Sequence, residues 1–337
     1  MLSSAQKREL ITQPRSVERA VTDDPALGPL RLLPGTWISE GRGWNMIALP
    51  FETATLDYRL LMNQYNEKLT FNLVDKAVPN RGLTSDHEAQ TDQHIVTLDY
   101  EQVIDQLIAT DSPESTVAGP QGAAIHHEPG LFLHMVDQIA PERMDIGRLA
   151  TIPHGNAALA LGKSARITDF EPTTSIPAVN GLPIGVNQNI GSPYLLPYKF
   201  FVDNPFKGIV SDPNFPGFVP TAPHLLLVSA AESLSIKRTT ILDLDTTNAT
   251  GGIHNIPFVE RQADATKMHS MFWIHELTDG GLVLQYLQVV ILEFFLRFDG
   301  SGLLIGWPHV SINTLTKQSD TPLDMLEMAT PLAREVG

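Results

Sequence analysis

The chain of 337 residues contains no cysteine. This absence excludes disulfide frameworks, thiolate zinc sites, iron–sulfur clusters and cysteine nucleophiles. Basic residues are also few, because 38 Asp and Glu outnumber 23 Lys and Arg and give a formal charge of -15. Nucleic-acid surfaces depend on clustered Lys and Arg, so we expect no nucleic-acid partner. Any metal would have to be bound by His, by carboxylates or within a cofactor.

Long apolar runs are lacking as well. The most apolar window, residues 282–298, is interrupted by Gln285, Gln288, Glu293 and Arg297, which makes it too polar for a bilayer span. The first ten residues carry charge where a signal peptide needs an apolar core. We therefore expect no membrane span and no export by that route, and we expect a cytoplasmic location.

Strand signals dominate what is present. Short runs rich in Val, Ile, Thr and aromatic residues are separated by segments rich in Asn, Gly, Asp and Pro, which predicts a meandering antiparallel sheet. Residues 33–51 combine three glycines with two tryptophans and then an apolar run. Such a segment is typical of a first strand that bends as it enters a closed sheet. The predicted fold class is all-β: a closed antiparallel up-and-down β-barrel of about ten strands.

The predicted domain organisation has one barrel. An N-terminal arm covers residues 1–30, a single barrel domain covers residues 31–318, and a tail covers residues 319–337. Residues 169–223 form an insertion rich in Pro, Gly and aromatic residues. We expect this insertion to be ordered and to pack over the barrel or against a partner chain, which leaves a monomer and a homodimer both open.

A few segments carry helical or ambiguous signals. Short terminal helices are expected over residues 16–21 and 321–336. Residues 100–108 have a helical alternative because three apolar residues could share a face, whereas residues 224–228 give a strand signal.

Histidines are the main candidates for chemistry. On an extended strand His126 and Glu128 share a face, so the carboxylate could orient the imidazole. His154 lies in a Pro-His-Gly turn, and Trp307 and His309 share a face of the last strand. A hydrogen-bonded structural role is the ordinary interpretation for any one of these histidines. No Gly-x-Ser-x-Gly elbow, P-loop or His-Glu-x-x-His motif is present in the sequence.

Three motifs resemble those of a known family. Residues 35–43 read Gly-Thr-Trp-Ile-Ser-Glu-Gly-Arg-Gly, and residues 126–130 read His-His-Glu-Pro-Gly. They are similar to the Gly-x-Trp-x-Gly-x-Gly-x-Gly and His-x-Glu-x-Gly motifs of nitrobindins, with Ser39 at a glycine position and Leu133 where an Arg is usual. The Pro-His-Gly turn at residues 153–155 falls where that family has another Pro and Gly turn. The chain thus resembles the nitrobindin family of haem-binding barrels, whose calycin-like fold is similar to lipocalins and fatty-acid-binding proteins.

The resemblance implies a haem cofactor. His309 would be the axial iron ligand, although an alternative alignment places Trp307 opposite the ligand. Thr36, Trp37 and His154 would contribute to the haem pocket. The implied chemistry is the handling of nitric oxide, peroxynitrite or peroxide at the iron.

Two other functions stay open. One is a haem-free carrier or sensor of an apolar small molecule. The other is an enzyme that acts on an apolar substrate in the barrel and uses His126, Glu128 and His309 as acid–base groups.

Overall fold

The structure is a computed structural model that describes residues 22–80, 93–136 and 144–320 together with Gly82 and Asp86. The described residues form eleven strands: β1 Gly35–Pro50, β2 Tyr58–Asn80, β3 Gln93–Ser112, β4 Ala124–Val136, β5 Ile146–Thr151, β6 Asn156–Ile167, β7 Ile236–Asp245, β8 Gly252–Asn255, β9 Asp264–Leu277, β10 Leu282–Leu296 and β11 Leu304–Ser319.

Ten of these strands close into one barrel. Their order around the ring is β1-β2-β3-β4-β5-β6-β7-β9-β10-β11, and the β11–β1 pair closes it. Neighbouring strands run antiparallel, and β8 adds a short pairing to the first half of β6. The predicted closed antiparallel barrel of about ten strands is confirmed.

The bend predicted in the first strand is present as a bulge. Register with β2 shifts between Ser39 and Gly43, and register with β11 shifts between Ile38 and Trp44, so the residues between them leave the ladder. Gly41 has φ +63°, a conformation that a side chain would strain. Its N–H donates to Asn66 Oδ1 at 2.8 Å, and its carbonyl accepts from Gln64 Nε2 at 2.7 Å.

The helical alternative for residues 100–108 is wrong. These residues lie inside β3, where Gln102, Ile104 and Gln106 are buried and the residues between them are more exposed. Pairing with β2 and β4 supplies the long-range contacts that a local periodicity of three apolar residues does not reveal.

The strand expected over residues 224–228 is also wrong. Four short α-helices lie among the described residues, in addition to two 3-10 helices: α1 Pro172–Ser175, α2 Leu196–Asp203, α3 Leu225–Glu232 and α4 Pro257–Gln262. The apolar run continues into Ser-Ala-Ala-Glu, and Leu, Ala and Glu are good helix formers, so α3 forms instead. A short apolar run by itself does not distinguish a strand from a buried helix.

One half of the barrel interior is filled by a hydrophobic core. Trp37, Phe71 and Phe132 are fully or almost fully buried there, and a 3-10 helix, Pro25–Leu30, adds Leu27 and Leu30 to the same cluster. Phe132 packs edge-on against Phe71 with ring centroids 5.8 Å apart. Aromatic side chains of the described residues thus pack closely in this half.

The insertion covers part of the outer face of the barrel. Asn45 and Ile47 face the barrel interior. Trp44 and Met46 alternate with them along β1 and therefore point outward. Both are nevertheless buried, because the insertion packs against them. The Trp44 ring lies 5.8 Å from Phe206 and 6.1 Å from Phe218. Residues 169–223 are therefore ordered and pack over the barrel, which is the first of the two arrangements expected for them.

No helix in the described ranges is long and apolar enough to cross a membrane. The helices expected over residues 16–21 and 321–336 lie outside the described residues.

Candidate functional site

The other half of the barrel interior contains a cavity of about 210 Å³. Seven barrel strands and the β5–β6 turn line it with a mixture of polar and apolar side chains: Asn45, Ile47, Gln102, Ile104, Ile125, His126, Arg148, His154, Phe272, Tyr286, Gln288, His309 and Ser311. Side chains at alternate positions of a strand face the same side. Alternate residues of β3, β10 and β11 therefore face the cavity together: Gln102 with Ile104, Tyr286 with Gln288, and His309 with Ser311. His154 is exposed on its turn, so the cavity reaches the surface there.

A buried ion pair borders this cavity. Glu128 on β4 and Arg148 on β5 are 1% and 3% exposed, and Arg148 Nη2 donates to Glu128 Oε1 at 2.5 Å. Tyr100 also donates to Glu128, and Arg148 Nε donates to the Tyr100 hydroxyl at 3.0 Å. The guanidinium Nη1 donates to Gln288 Oε1 at 2.7 Å and to Ser270 Oγ at 3.2 Å. Hydrogen bonding to several partners is what a buried charge pair requires.

Glu128 orients His126. Burial by itself would raise the pKa of Glu128, but the Arg148 guanidinium and the His126 and Tyr100 hydrogen bonds lower that pKa to about 2. The ionised carboxylate can only accept hydrogen bonds, so His126 Nε2 donates to Glu128 Oε2 across 3.2 Å. When the ring is neutral its lone pair is then on Nδ1. A carboxylate that fixes the tautomer in this way makes the other nitrogen the basic one.

His309 and His154 join His126 at the cavity. Burial, with a smaller contribution from His126, lowers the pKa of His309 to about 4, so its ring is neutral at neutral pH. Its Nε2 lies 3.5 Å from Ser311 Oγ. The His154 ring meets the His126 ring edge-on with centroids 5.4 Å apart, and burial followed by the charges of His126 and His127 lowers the pKa of His154.

Comparison of the chain with models of known protein families and with curated proteins finds no match. The site is therefore interpreted from its own geometry, and the family resemblance stays a prediction.

The structure brings four of the seven expected site residues together and leaves three elsewhere. His126, Glu128, His154 and His309 lie in or beside the cavity. Trp37 lies in the packed half of the interior, where its indole N–H donates to Leu33 O at 2.8 Å, and Thr36 is its buried neighbour on β1. Trp307 stacks on Phe294 at 4.6 Å and donates its N–H to the Phe294 carbonyl at 3.0 Å, in the cluster beneath the insertion.

The cavity does not fit a haem group at its observed size. Pockets that hold drug-sized ligands span about 300–1,000 Å³, and 210 Å³ lies below that range. Among the described residues, no group of three His, Asp or Glu side chains is arranged to hold a metal ion. The expectation that His309 binds haem iron stays a prediction of the resemblance alone.

Sequence reasoning missed most of the polar residues around the cavity. Arg148 is the one charged residue of β5, Ile-Gly-Arg-Leu-Ala-Thr, and it shares a face with Ile146 and Ala150. A charge on the apolar face of a short strand is the signal that could have revealed it. Gln102 and Gln288 gave no signal beyond interrupting apolar runs.

A further buried histidine has a structural role. His275 is fully buried on β9, outside the cavity lining, with Thr239 Oγ1 at 2.9 Å and Gln285 Oε1 at 3.1 Å. Burial lowers the pKa of His275 to about 4 despite the Gln285 hydrogen bond. This agrees with the ordinary interpretation of a histidine in a strand.

Proposed function

We propose that the protein is a haem-free small-molecule-binding barrel, in which the ligand occupies the interior cavity and forms a hydrogen bond with His126. The observation that carries the proposal is the convergence of His126, His154 and His309 on one cavity inside a closed barrel. An imidazole ring can donate a hydrogen bond from one nitrogen and accept one at the other, so these side chains suit a ligand with hydrogen-bonding groups.

The polar lining supports a ligand that forms hydrogen bonds. Asn45 Oδ1 is buried without a hydrogen-bond partner among the described residues, and Asn45 lines the cavity. Buried polar atoms need partners, so a bound molecule or water must supply one here. Ile47, Ile104 and Phe272 add apolar surface, which favours a molecule with both polar and apolar parts.

Mass spectrometry of small molecules released on denaturation tests this function. Ser311→Leu adds volume inside the cavity, whereas Gln318→Leu introduces the same residue at an exposed position farther along β11, away from the lining. We expect a compound that is present in stoichiometric amount with the wild type and Gln318→Leu and is depleted from Ser311→Leu. Equal recovery from all three proteins would place the compound outside the cavity.

Haem binding is the second candidate, and the location of His309 in the cavity lining is the observation that favours it. Titration of the purified protein with haemin distinguishes the two. The small cavity predicts no Soret band that depends on His309. A Soret band that is present in the wild type and absent from His309→Ala would favour the haem function instead.

A further inference from the structure

A second buried carboxyl group lies beside the cavity. Glu67 on β2 is 2% exposed, and its oxygens accept hydrogen bonds from Gln102 Nε2 at 2.7 Å, Tyr286 OH at 2.6 Å and Asn313 Nδ2 at 2.7 Å. Gln102 and Tyr286 also line the cavity. Gln102 and Tyr286 therefore lie between Glu67 and a ligand in the cavity, just as His126 and Arg148 lie between Glu128 and that ligand.

The two carboxyl groups have opposite environments. Arg148 compensates the charge of Glu128, whereas the three side chains that donate to Glu67 are all uncharged. Burial raises the pKa of Glu67, and the hydrogen bonds from Tyr286, Asn313 and Gln102 and the charge of His126 offset this only in part. A pair of carboxyl groups whose environments separate their pKa values is the usual arrangement of an acid–base site.

The hydroxyl groups next to Glu67 can accommodate its proton. The titratable groups facing it are Tyr286, Tyr65 and His126, and burial raises the pKa of both phenols, which stay neutral. Tyr65 OH lies 2.8 Å from Tyr286 OH and 3.1 Å from the Ile312 carbonyl.

This chain of hydroxyl groups has two consistent directions. When Glu67 is protonated, it donates to Tyr286, Tyr286 donates to Tyr65, and Tyr65 donates to the Ile312 carbonyl, so each hydrogen has an acceptor. When Glu67 is ionised, both hydroxyls turn towards it and the bond to the Ile312 carbonyl is lost. One proton can thus be gained or lost at Glu67 by rotation of two O–H bonds.

We propose that Glu67 is held as a neutral carboxylic acid, that the barrel ligand is an uncharged molecule with hydrogen-bonding groups, and that ligand and proton bind cooperatively. The ligand class rests on the proposed function. Glu128 and Arg148 cancel in charge and His309 is neutral, so beside a neutral Glu67 and a neutral His126 ring an ionic ligand would be buried without a counter-charge.

The cooperativity follows from exclusion of water. An uncharged ligand that displaces water from the cavity makes the surroundings of Glu67 drier and favours its neutral form. Linkage is reciprocal, so the ligand must bind more tightly when Glu67 is protonated. Each pKa unit that the ligand adds to Glu67 corresponds to a tenfold change in affinity across the titration.

Infrared spectroscopy tests the state of Glu67 without any ligand. At neutral pH the wild type should show the carbonyl stretch of a protonated carboxylic acid, and Glu67→Gln should lack it. Side-chain carboxyl NMR of ¹³C-Glu-labelled wild type gives the same answer if Glu67→Gln does not fold. Absence of a protonated glutamate in the wild type overturns the proposal.

Benzamide, benzoate and benzamidine, which share one shape and differ in charge, test the ligand class by calorimetry. Benzamide should bind at least about tenfold more tightly than either ion. Its affinity should rise as pH falls from alkaline values to neutral in the wild type but not in Glu67→Gln. Benzoate binding as tight as that of benzamide overturns the ligand class, and a pH response shared by both proteins overturns the coupling. If none of the three compounds binds to the wild type, as none should bind to Ser311→Leu, the proposed function and the ligand class are both overturned. The infrared result still decides the state of Glu67 in that case.

Discussion

At the scale of single residues, the two adjacent histidine–glutamate pairs show how burial decides the role of an ion pair. His126 pairs with Glu128 inside the barrel, and His127 pairs with Glu101 on its outside, at 3.2 and 3.0 Å. The Glu128 side chain is 1% exposed and that of Glu101 is 37% exposed. Water screens the outer pair, so only the inner carboxylate fixes its imidazole and its guanidinium partner firmly.

Glu128→Gln should therefore destabilise the protein strongly. Removing the carboxylate leaves the buried Arg148 charge without its counter-ion, which costs about 3 to 5 kcal/mol. Urea denaturation at neutral pH measures the loss. Glu101→Gln is the matched control and should change the free energy of unfolding by less than about 0.5 kcal/mol. Similar losses from the two variants would contradict a special role for the inner pair.

At the scale of elements, the insertion affects the pattern of polar and apolar residues in the strands that it covers. β1 and β2 are buried on both faces where the insertion covers them, so polar and apolar residues do not alternate cleanly there. The strand period therefore predicted the barrel but not which face of each strand is interior. Trp44, whose neighbours are Asn45 and the bulge, packs outward against aromatic rings more than 150 positions later in the chain. Local sequence carries no record of such long-range contacts.

The site residues also divide into those that local sequence predicts and those that depend on long-range contacts. His126 and Glu128 are two positions apart on one strand, and period-two geometry predicts their contact. Arg148 comes from the neighbouring strand β5, and the β4–β5 pairing brings it to Glu128, whereas closure of the barrel brings Gln288 of β10 to Arg148. Motif reading found the part of the site that one strand carries.

The insertion should contribute to stability through its buried aromatics. Phe218 is fully buried against Trp44, whereas Phe200 in α2 is 47% exposed. Phe218→Ala should cost about 3 to 5 kcal/mol, because it removes a large side chain from a close-packed cluster. Phe200→Ala, the control within the same segment, should cost below about 1 kcal/mol. Equal effects in thermal or urea denaturation would mean that the insertion is not held by this cluster.

At the scale of the whole molecule, the titration of buried groups shapes stability against pH. His275 and His309 have folded pKa values of about 4, below the ordinary value of 6.5. The unfolded chain therefore binds protons at these positions before the folded chain does. Their contribution to stability is fully present above pH 6.5 and is lost as pH falls towards 4. Glu128 titrates lower still, at about pH 2 in the folded protein.

His309→Gln should consequently flatten the acid side of the stability profile. Each histidine held neutral in this way adds at most about 1.4 kcal/mol per pH unit to the slope between pH 6.5 and 4, so removal of one should make the fall visibly shallower. The measurement is the free energy of urea unfolding at several pH values. His127→Gln changes an exposed ring on the outside of β4 and should run parallel to the wild type. A wild-type slope retained in His309→Gln would mean that this imidazole is not held neutral, and the cavity would then not be the uncharged environment on which the proposed ligand class depends.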